Sequence, residues 1–449
     1  MAVPETPQAP AEGPGFRRAV SRWEIVGLSV NDVIGSGVYL LPAAATAILG
    51  FSSVGAVVLA GFAVLLLVLC FAEAASYFDG PGSAYLYTRS AFGQLVGYEV
   101  GWMTWLARVS SVASLSVGFA QALTYLWPEA GEGWGQAAAI VVPLLILTII
   151  NEVGVKSGVR TAVFLAITKT APLLIFIGIG IFYVSSDLAQ SQPAPQSGAL
   201  GEAALLLLFA YAGFENTAAP AGEFKNPRRD VPFALIAQIV IVTLIYTAVQ
   251  WVALGTLPNL ARSETPLASA AQTFLGSWGG LLLTAGAVVS ILGTNSNTVL
   301  AGPRYLYALA ADGFGPRALT WLHPRFGTPT VAIVTQTAIA IPLALSGSFK
   351  GLATLSVIAR LATYIGTAAA VPVLRRKYPD AQRAVRLPGG PLIPIAAILV
   401  CVALAASAEA KNLLAGGVAI LVGLMIALMR WPADPAGSTE PGPSPTSPD

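Results

Sequence analysis

Charge is what this chain most lacks. Asp, Glu, Lys and Arg make up 10% of its 449 residues, apolar residues make up 55%, and the mean hydropathy is +0.72. So little polar surface cannot cover a water-soluble fold, which excludes the soluble globular class. The net charge is only +2, and no basic block is long enough to neutralise a phosphate track, which excludes a nucleic-acid partner. One histidine and two cysteines leave no Cys/His cluster, so no metal site is expected. Cys70 and Cys401 both lie in apolar runs and read as small hydrophobes rather than a disulfide framework. A GxxxxGK[ST] phosphate loop is missing, which disfavours ATP-driven transport within the chain. No nucleophile–base pair or metal-ligand set stands in the apolar runs, as an intramembrane enzyme would need. No cofactor is expected. The amino-terminal segment is rich in Pro, Ala and Gly and lacks the apolar core of a cleavable signal.

Long apolar runs are what the chain has in abundance. A helix needs about 20 apolar residues to cross the hydrocarbon core of a bilayer. Qualifying runs begin near Ile25, Val54, Val96, Gln136, Thr161 and Ala203, and again near Val231, Gly279, Pro329, Gly351, Gly390 and Asn412. The reading is an all-α integral membrane protein with twelve transmembrane helices. With the amino terminus inside, the outer segments hold only Arg262, Lys350 and Lys411, while Arg108, Lys169 and Arg360 fall within spans. The rest of the 24 Lys and Arg residues lie in inner segments, a positive-inside pattern that an odd number of spans would scramble. A bacterial-type inner membrane with both termini cytoplasmic is therefore expected. Residues 1–22 and 431–449 read as tails, the second rich in Pro, Ser, Gly and Asp and disordered by composition.

The first apolar run is broken near its middle by Ile34-Gly35-Ser36-Gly37, two residues past Asp32. Two glycines flanking a serine invite local unwinding. Unwound backbone at membrane depth survives only inside protein or beside a water-filled cavity. Free N–H groups at the start of a half-helix there suit an anionic group. A glycine packing notch is the alternative, and it leaves Asp32 unexplained. The sixth run, Leu208-Phe209-Ala210-Tyr211-Ala212-Gly213-Phe214-Glu215, again carries a glycine and an acid. Interrupted segments at corresponding positions of two halves point to a transporter binding site.

Several motifs carry a family resemblance. GSGVYLLP in the first run, and FAYAGFE followed by GEFKNPRRDVP, resemble the amino acid–polyamine–organocation (APC) superfamily. PGSAYLYTRSAFG, NEVGVKSGVRT and PRYLYALAADGFGP match as well, in family order from about Trp23 to Pro329. The resemblance implies a 5+5 inverted repeat with helices 1 and 6 broken, plus two peripheral helices. It divides the chain into a first repeat over 23–200, a second over 201–376 and the last two helices over 377–430. It also implies that Ser36 and Gly37, beside Gly35, hold a substrate carboxylate through backbone N–H and the Ser36 hydroxyl. Carbonyls of Val33, Phe209 and Ala212 would receive the ammonium. Phe209 matches an aromatic gate over the substrate, with ordinary aromatic packing as the alternative.

Charged side chains inside the spans demand partners. Lys169 stands where proton-coupled members of the superfamily carry a lysine and sodium-coupled ones bind a cation. Its ammonium would bridge the first and eighth spans; a structural cation that never titrates is the alternative. Glu215 matches a position used by some members as a proton sensor, or it is a protonated packing acid. Asp32 replaces the small or amide residues usual there; it favours cationic substrates, pairs with Lys169 or Arg108, or faces away. Arg108 and Arg360 read as structural ahead of substrate-binding. Glu73 is expected to reach loop cations by snorkelling, Lys225-Asn226-Pro227-Arg228-Arg229 to anchor the inner face, and His323 to be solvated. Tyr and Trp residues read mostly as interfacial anchors.

The function implied is secondary active amino acid transport coupled to protons, with the amino acid, the proton and the lipid bilayer as partners. Sodium coupling and amine exchange are the rivals, and a non-transporting amino acid sensor is the reading from another class. Asp32 favours cations while Arg108 and Lys169 oppose them, which leans the substrate toward neutral amino acids. No feature specifies an oligomeric state.

Overall fold

The computed structural model describes residues 20–78, 83–153, 159–193, 195, 200–218, 221, 224–381 and 383–430, with backbone alone over 159–165. Both tails lie outside the described residues apart from the end of the first, as do Lys156, the side chain of Arg160 and parts of three motifs quoted above.

The chain is all-α. In order it forms α1 (Arg22–Val33), α2 (Ser36–Leu49), α3 (Ser53–Ala75), α4 (Ser83–Phe92), α5 (Gln94–Leu123), α6 (Gly133–Val153), α7 (Val159–Gly180) and the short α8 (Ser186–Gln190). It continues with α9 (Leu200–Tyr211), α10 (Pro227–Thr256), α11 (Pro266–Ala311), α12 (Thr330–Ser346), α13 (Phe349–Lys377), α14 (Leu392–Ala406) and α15 (Ala410–Arg430). Each expected apolar run falls on one of these helices, the first being divided between α1 and α2. Eight described helical stretches are long and apolar enough to cross a membrane, while α12 and α14 are apolar but shorter, at 17 and 15 residues. This is a multi-spanning membrane protein. α11 runs 46 residues with a bend at Gly276, whose φ of 66° is open to glycine at little cost.

Helices with apolar residues all round have no face for water and bury themselves in protein or lipid. α5 takes the first course and α6 and α15 the second: their most apolar stretches are 83%, 17% and 17% buried. α5 is the central post, packed against α11 and α13. Ile146 and Ile149 of α6 and Leu421 and Met425 of α15 stay exposed, an apolar surface suited to lipid. α3 packs on α10, α1 on α7 and α10, and α2 on α9.

The start of α1 is fastened to the start of α10. Lys225 donates its N–H to the Val20 carbonyl (3.1 Å), Arg22 pairs with Asp230 (2.8 Å), and the Arg22 guanidinium lies over Phe233 (4.7 Å). Asn226 caps α10 and Pro227 occupies its first turn, where the missing N–H costs nothing.

Glu73 corrects an expectation. It does not snorkel outward but is fully buried, receiving Arg375 through Nε (2.7 Å) and Nη2 (2.6 Å). The Leu387 N–H (2.9 Å) and Arg383 (3.5 Å) add to it. Arg375 comes from the last turn of α13, and the segment between α13 and α14 folds back over the end of α3 to bring Arg383 and the Leu387 N–H. Removing one partner of a buried pair leaves the other uncompensated. Glu73→Ala is therefore expected to cost about 3 kcal/mol in unfolding free energy. Urea unfolding in detergent micelles would show it, with the Glu73→Ala/Arg375→Ala double variant losing less than the sum of the singles.

Candidate functional site

α1 ends at Val33, Ile34 is extended (φ −70°, ψ 99°), Gly35 turns the chain (φ −129°, ψ −138°), and α2 starts at Ser36. α9 ends at Tyr211 and is followed by Gly213 at φ 126° and a tight turn over Phe214–Asn216. The two interruptions lie against each other. A Cβ on Gly37 would stand 2.7 Å from the Ala210 Cα, and one on Gly213 would stand 2.6 Å from the Asp32 carbonyl oxygen. Only glycine permits both approaches.

Between these segments and α5, α11 and α13 lies a cavity of about 40 Å³. Asp32, Val33, Gly35, Ser36 and Gly37 line one side, and Phe209, Ala210, Ala212, Gly213 and Asn216 line another. α5 contributes Arg108, Ser111 and Leu115; α11 contributes Thr294, Asn297 and Thr298; α13 contributes Arg360. Lys169 and Glu215 are not among the lining residues and stand behind the wall.

The backbone at the breaks supplies both donors and acceptors. The first-turn N–H groups of α2 have no intrahelical acceptor, and among the described residues no side chain caps them. The Ser36 hydroxyl beside them is buried with no hydrogen-bond partner among the described residues. The start of α2 thus combines donors with the positive end of a helix dipole. On the acceptor side, Tyr246 of α10 donates toward both the Val33 carbonyl (3.2 Å) and the Ala210 carbonyl (3.0 Å). Ser290 (3.1 Å) and Thr294 (3.2 Å) of α11 reach the Ile34 carbonyl. The Phe209 carbonyl accepts the Ala212 N–H (3.2 Å). Val33 and Phe209 therefore each hold one hydrogen bond and retain a second lone pair.

Charged groups are arranged around this backbone. Lys169 of α7 is fully buried and donates to the Asn31 carbonyl (2.5 Å) and Thr294 Oγ1 (3.2 Å), joining α1 to α11. Glu215 accepts from Arg360 Nε (2.8 Å), the Gly213 N–H (2.9 Å) and the Tyr364 hydroxyl (3.2 Å). Arg360 directs its remaining nitrogens at Ser356 (2.6 Å) and Ser111 (3.2 Å). Asp32 accepts from Asn297 Nδ2 (2.8 Å), and among the described residues no ion pair joins it to Lys169 or Arg108. Arg108 lies over the Tyr305 ring (5.8 Å) with Nη2 unpartnered among the described residues. The Phe209 ring meets Phe349 edge-on at 5.9 Å. His323 is remote, its Nδ1 accepting the Arg325 N–H (3.1 Å) in a surface turn.

Tyr246, Ser290, Asn297 and Tyr364 are site residues that the sequence reading missed. Tyr246 passed for an interfacial aromatic. The run Gly293-Thr294-Asn295-Ser296-Asn297-Thr298, polar within an apolar helix, was the available signal for α11.

A family model described as amino acid permease matches residues 20–429. The branched-chain amino acid permease BcaP of Bacillus subtilis (strain 168) is 28% identical over 429 residues, covering 92% of each chain. The serine/threonine exchanger SteT of the same organism is 29% identical over 425 residues, covering 92% of this chain and 96% of its own. The methylthioribose transporter of that organism is 27% identical over 416 residues, covering 88% and 90%.

The approach of α2 to α9 has a direct test. Gly37→Ala forces a Cβ into Ala210 and is expected to cost about 1–3 kcal/mol, the usual toll of overpacking. Gly55→Ala meets nothing within 4 Å and is expected to stay within about 0.5 kcal/mol of the parent when both are unfolded in micelles.

Proposed function

The chain belongs to the amino acid permease family, and from that premise we propose that it is a proton-coupled secondary active amino acid transporter. The observation that supports this reading is the start of α2, where Ser36 and Gly37 line a cavity that Phe209, Ala210 and Ala212 at the second interruption also line. In this reading the substrate carboxylate binds at Ser36 and Gly37 beside Gly35, and the ammonium binds among the Val33, Phe209 and Ala212 carbonyls. Phe209, edge-on to Phe349, closes over the substrate. Both tasks use backbone atoms, so one design serves many amino acids.

The proposed architecture is twelve transmembrane helices with two inverted five-helix repeats over 23–200 and 201–376. The last two helices are peripheral, over 377–430, and both termini lie at the cytoplasmic face of an inner membrane. The interruptions between α1 and α2 and after α9 are broken helices 1 and 6. Alternating access moves one group of helices against the other around the site.

Coupling falls to Lys169. As an ammonium it donates to Asn31 and Thr294, a tie between α1 and α11 that weakens when the proton leaves. Glu215 links the second break to α13 through Arg360 and senses the same movement. Amino acid exchange is the rival reading, favoured by the name of one relative, the serine/threonine exchanger.

Uptake of a radiolabelled amino acid mixture into proteoliposomes, with and without an inward proton gradient, tests the proposal. Wild type is expected to respond to the gradient, and Lys169→Ala to lose that response by about 5- to 150-fold, the usual range of coupling between sites. Uptake that ignores the proton gradient and follows sodium or preloaded amino acid would overturn proton coupling and keep the transporter.

A further inference from the structure

One aspartate and two arginines line the cavity, leaving an excess of one positive charge. Asp32 is at the α1 side, hydrogen-bonded by Asn297 of α11, and its own carbonyl lies against Gly213 of the second break. Arg108 and Arg360 reach the cavity from α5 and α13. Of the two cations, Arg360 is saturated: Glu215, Ser356 and Ser111 take its nitrogens. Arg108 is not. It is 4% exposed, lines the cavity, and holds Nη2 with no hydrogen-bond partner among the described residues. A buried guanidinium with an unused donor is costly unless a ligand supplies the acceptor. Ser111, one turn along α5 on the same cavity wall, is committed to Arg360 and Ser356, so among the described residues Arg108 is the cavity-lining α5 side chain with a donor to spare.

We infer that the α5 wall, centred on Arg108 with Ser111 beside it, is a subsite for an anionic side chain, so that the carried substrates are amino acids bearing a side-chain carboxylate. The inference rests on the transport reading and narrows its substrate class. An acidic amino acid then meets a complement at each of its three charges. Its α-carboxylate faces the start of α2, its ammonium faces the break carbonyls with Asp32 nearby, and its side-chain carboxylate faces the Arg108 fork. An apolar side chain of the same size leaves Nη2 unsatisfied, an amide supplies an acceptor without the charge, and a cationic one meets like charge.

The test compares L-glutamate with L-glutamine, which match in shape and differ in the side-chain charge. Calorimetric binding to the full-length protein in micelles and radiolabelled uptake into proteoliposomes are both read. Glutamate is expected to bind at least about tenfold more tightly than glutamine. Arg108→Gln is expected to bring that ratio toward one, while Arg108→Lys, which keeps a point charge without the fork, restores part of it. A role in packing against Tyr305 alone would weaken both ligands equally. The wild-type comparison stands even where a variant fails to fold. Glutamine or leucine bound as tightly as glutamate would overturn the inference and leave amino acid transport standing. No binding or uptake of any amino acid would overturn both.

Discussion

A backbone N–H or C=O at membrane depth has no water to turn to, so every interruption of a helix must be answered from within the protein. Here two interruptions face each other, and the answers come from three neighbouring helices. α7 sends Lys169 to the Asn31 carbonyl, α10 sends Tyr246 to Val33 and Ala210, and α11 sends Ser290 and Thr294 to Ile34. The convergence of α7, α10 and α11 on the end of α1 follows from this demand. Glycine makes it geometrically feasible, since Gly37 and Gly213 bring the two broken segments within backbone contact. The donors of α2 are the exception, answered by no side chain among the described residues, and it is there that the cavity lies.

Two buried carboxylates show how differently charge is used in one fold. Glu73 is enclosed by Arg375, Arg383 and the Leu387 N–H, and it ties the segment before α14 to the end of α3. Glu215 is equally enclosed, but its partners are a break residue, Gly213, and a cavity-lining base, Arg360. Buried ion pairs return little net stability, because desolvation consumes most of the attraction. Their contribution is positional. The first fixes a connection, and the second fixes the register of the second break against α13.

The apolar helices and the first break were legible because hydropathy and glycine content are local properties. Ile34-Gly35-Ser36-Gly37 announces an interruption within an apolar run, and the structure interrupts the helix at Ile34 and Gly35. Facing was not legible. Nothing in the sequence tells which way Asp32 points, and Asn297, more than 260 positions away, receives it. Tyr246 lies within a span but looks like any aromatic near an interface until α10 is placed beside both breaks. Glu73 misled for the same reason: its cations come from the end of α13 and the fold-back after it, which only tertiary packing brings to α3. Arg108 and Arg360 looked alike as intramembrane arginines, and only the count of their partners separates them.

Shared protons give this site a means of yielding without breaking. Tyr246 has one hydroxyl proton and two carbonyls within reach, so it donates fully to one break or the other at little difference in energy. Thr294 is placed between the Lys169 ammonium and the Ile34 carbonyl, accepting from one while donating to the other. Such a chain is polarised along its length, and each bond strengthens the next. Under the transport reading, removal of the Lys169 proton takes away the charge that heads the chain. The neutral amine keeps two N–H groups for Asn31 and Thr294, but they are no longer charge-assisted donors. Thr294 then holds Ile34 as an ordinary neutral hydroxyl, a weaker tie than one backed by a cation. The end of α1 is thereby held less tightly to α11, by Ser290 and Asn297 without the Lys169 charge behind Thr294, while Tyr246 keeps it beside α9 and the two breaks move together.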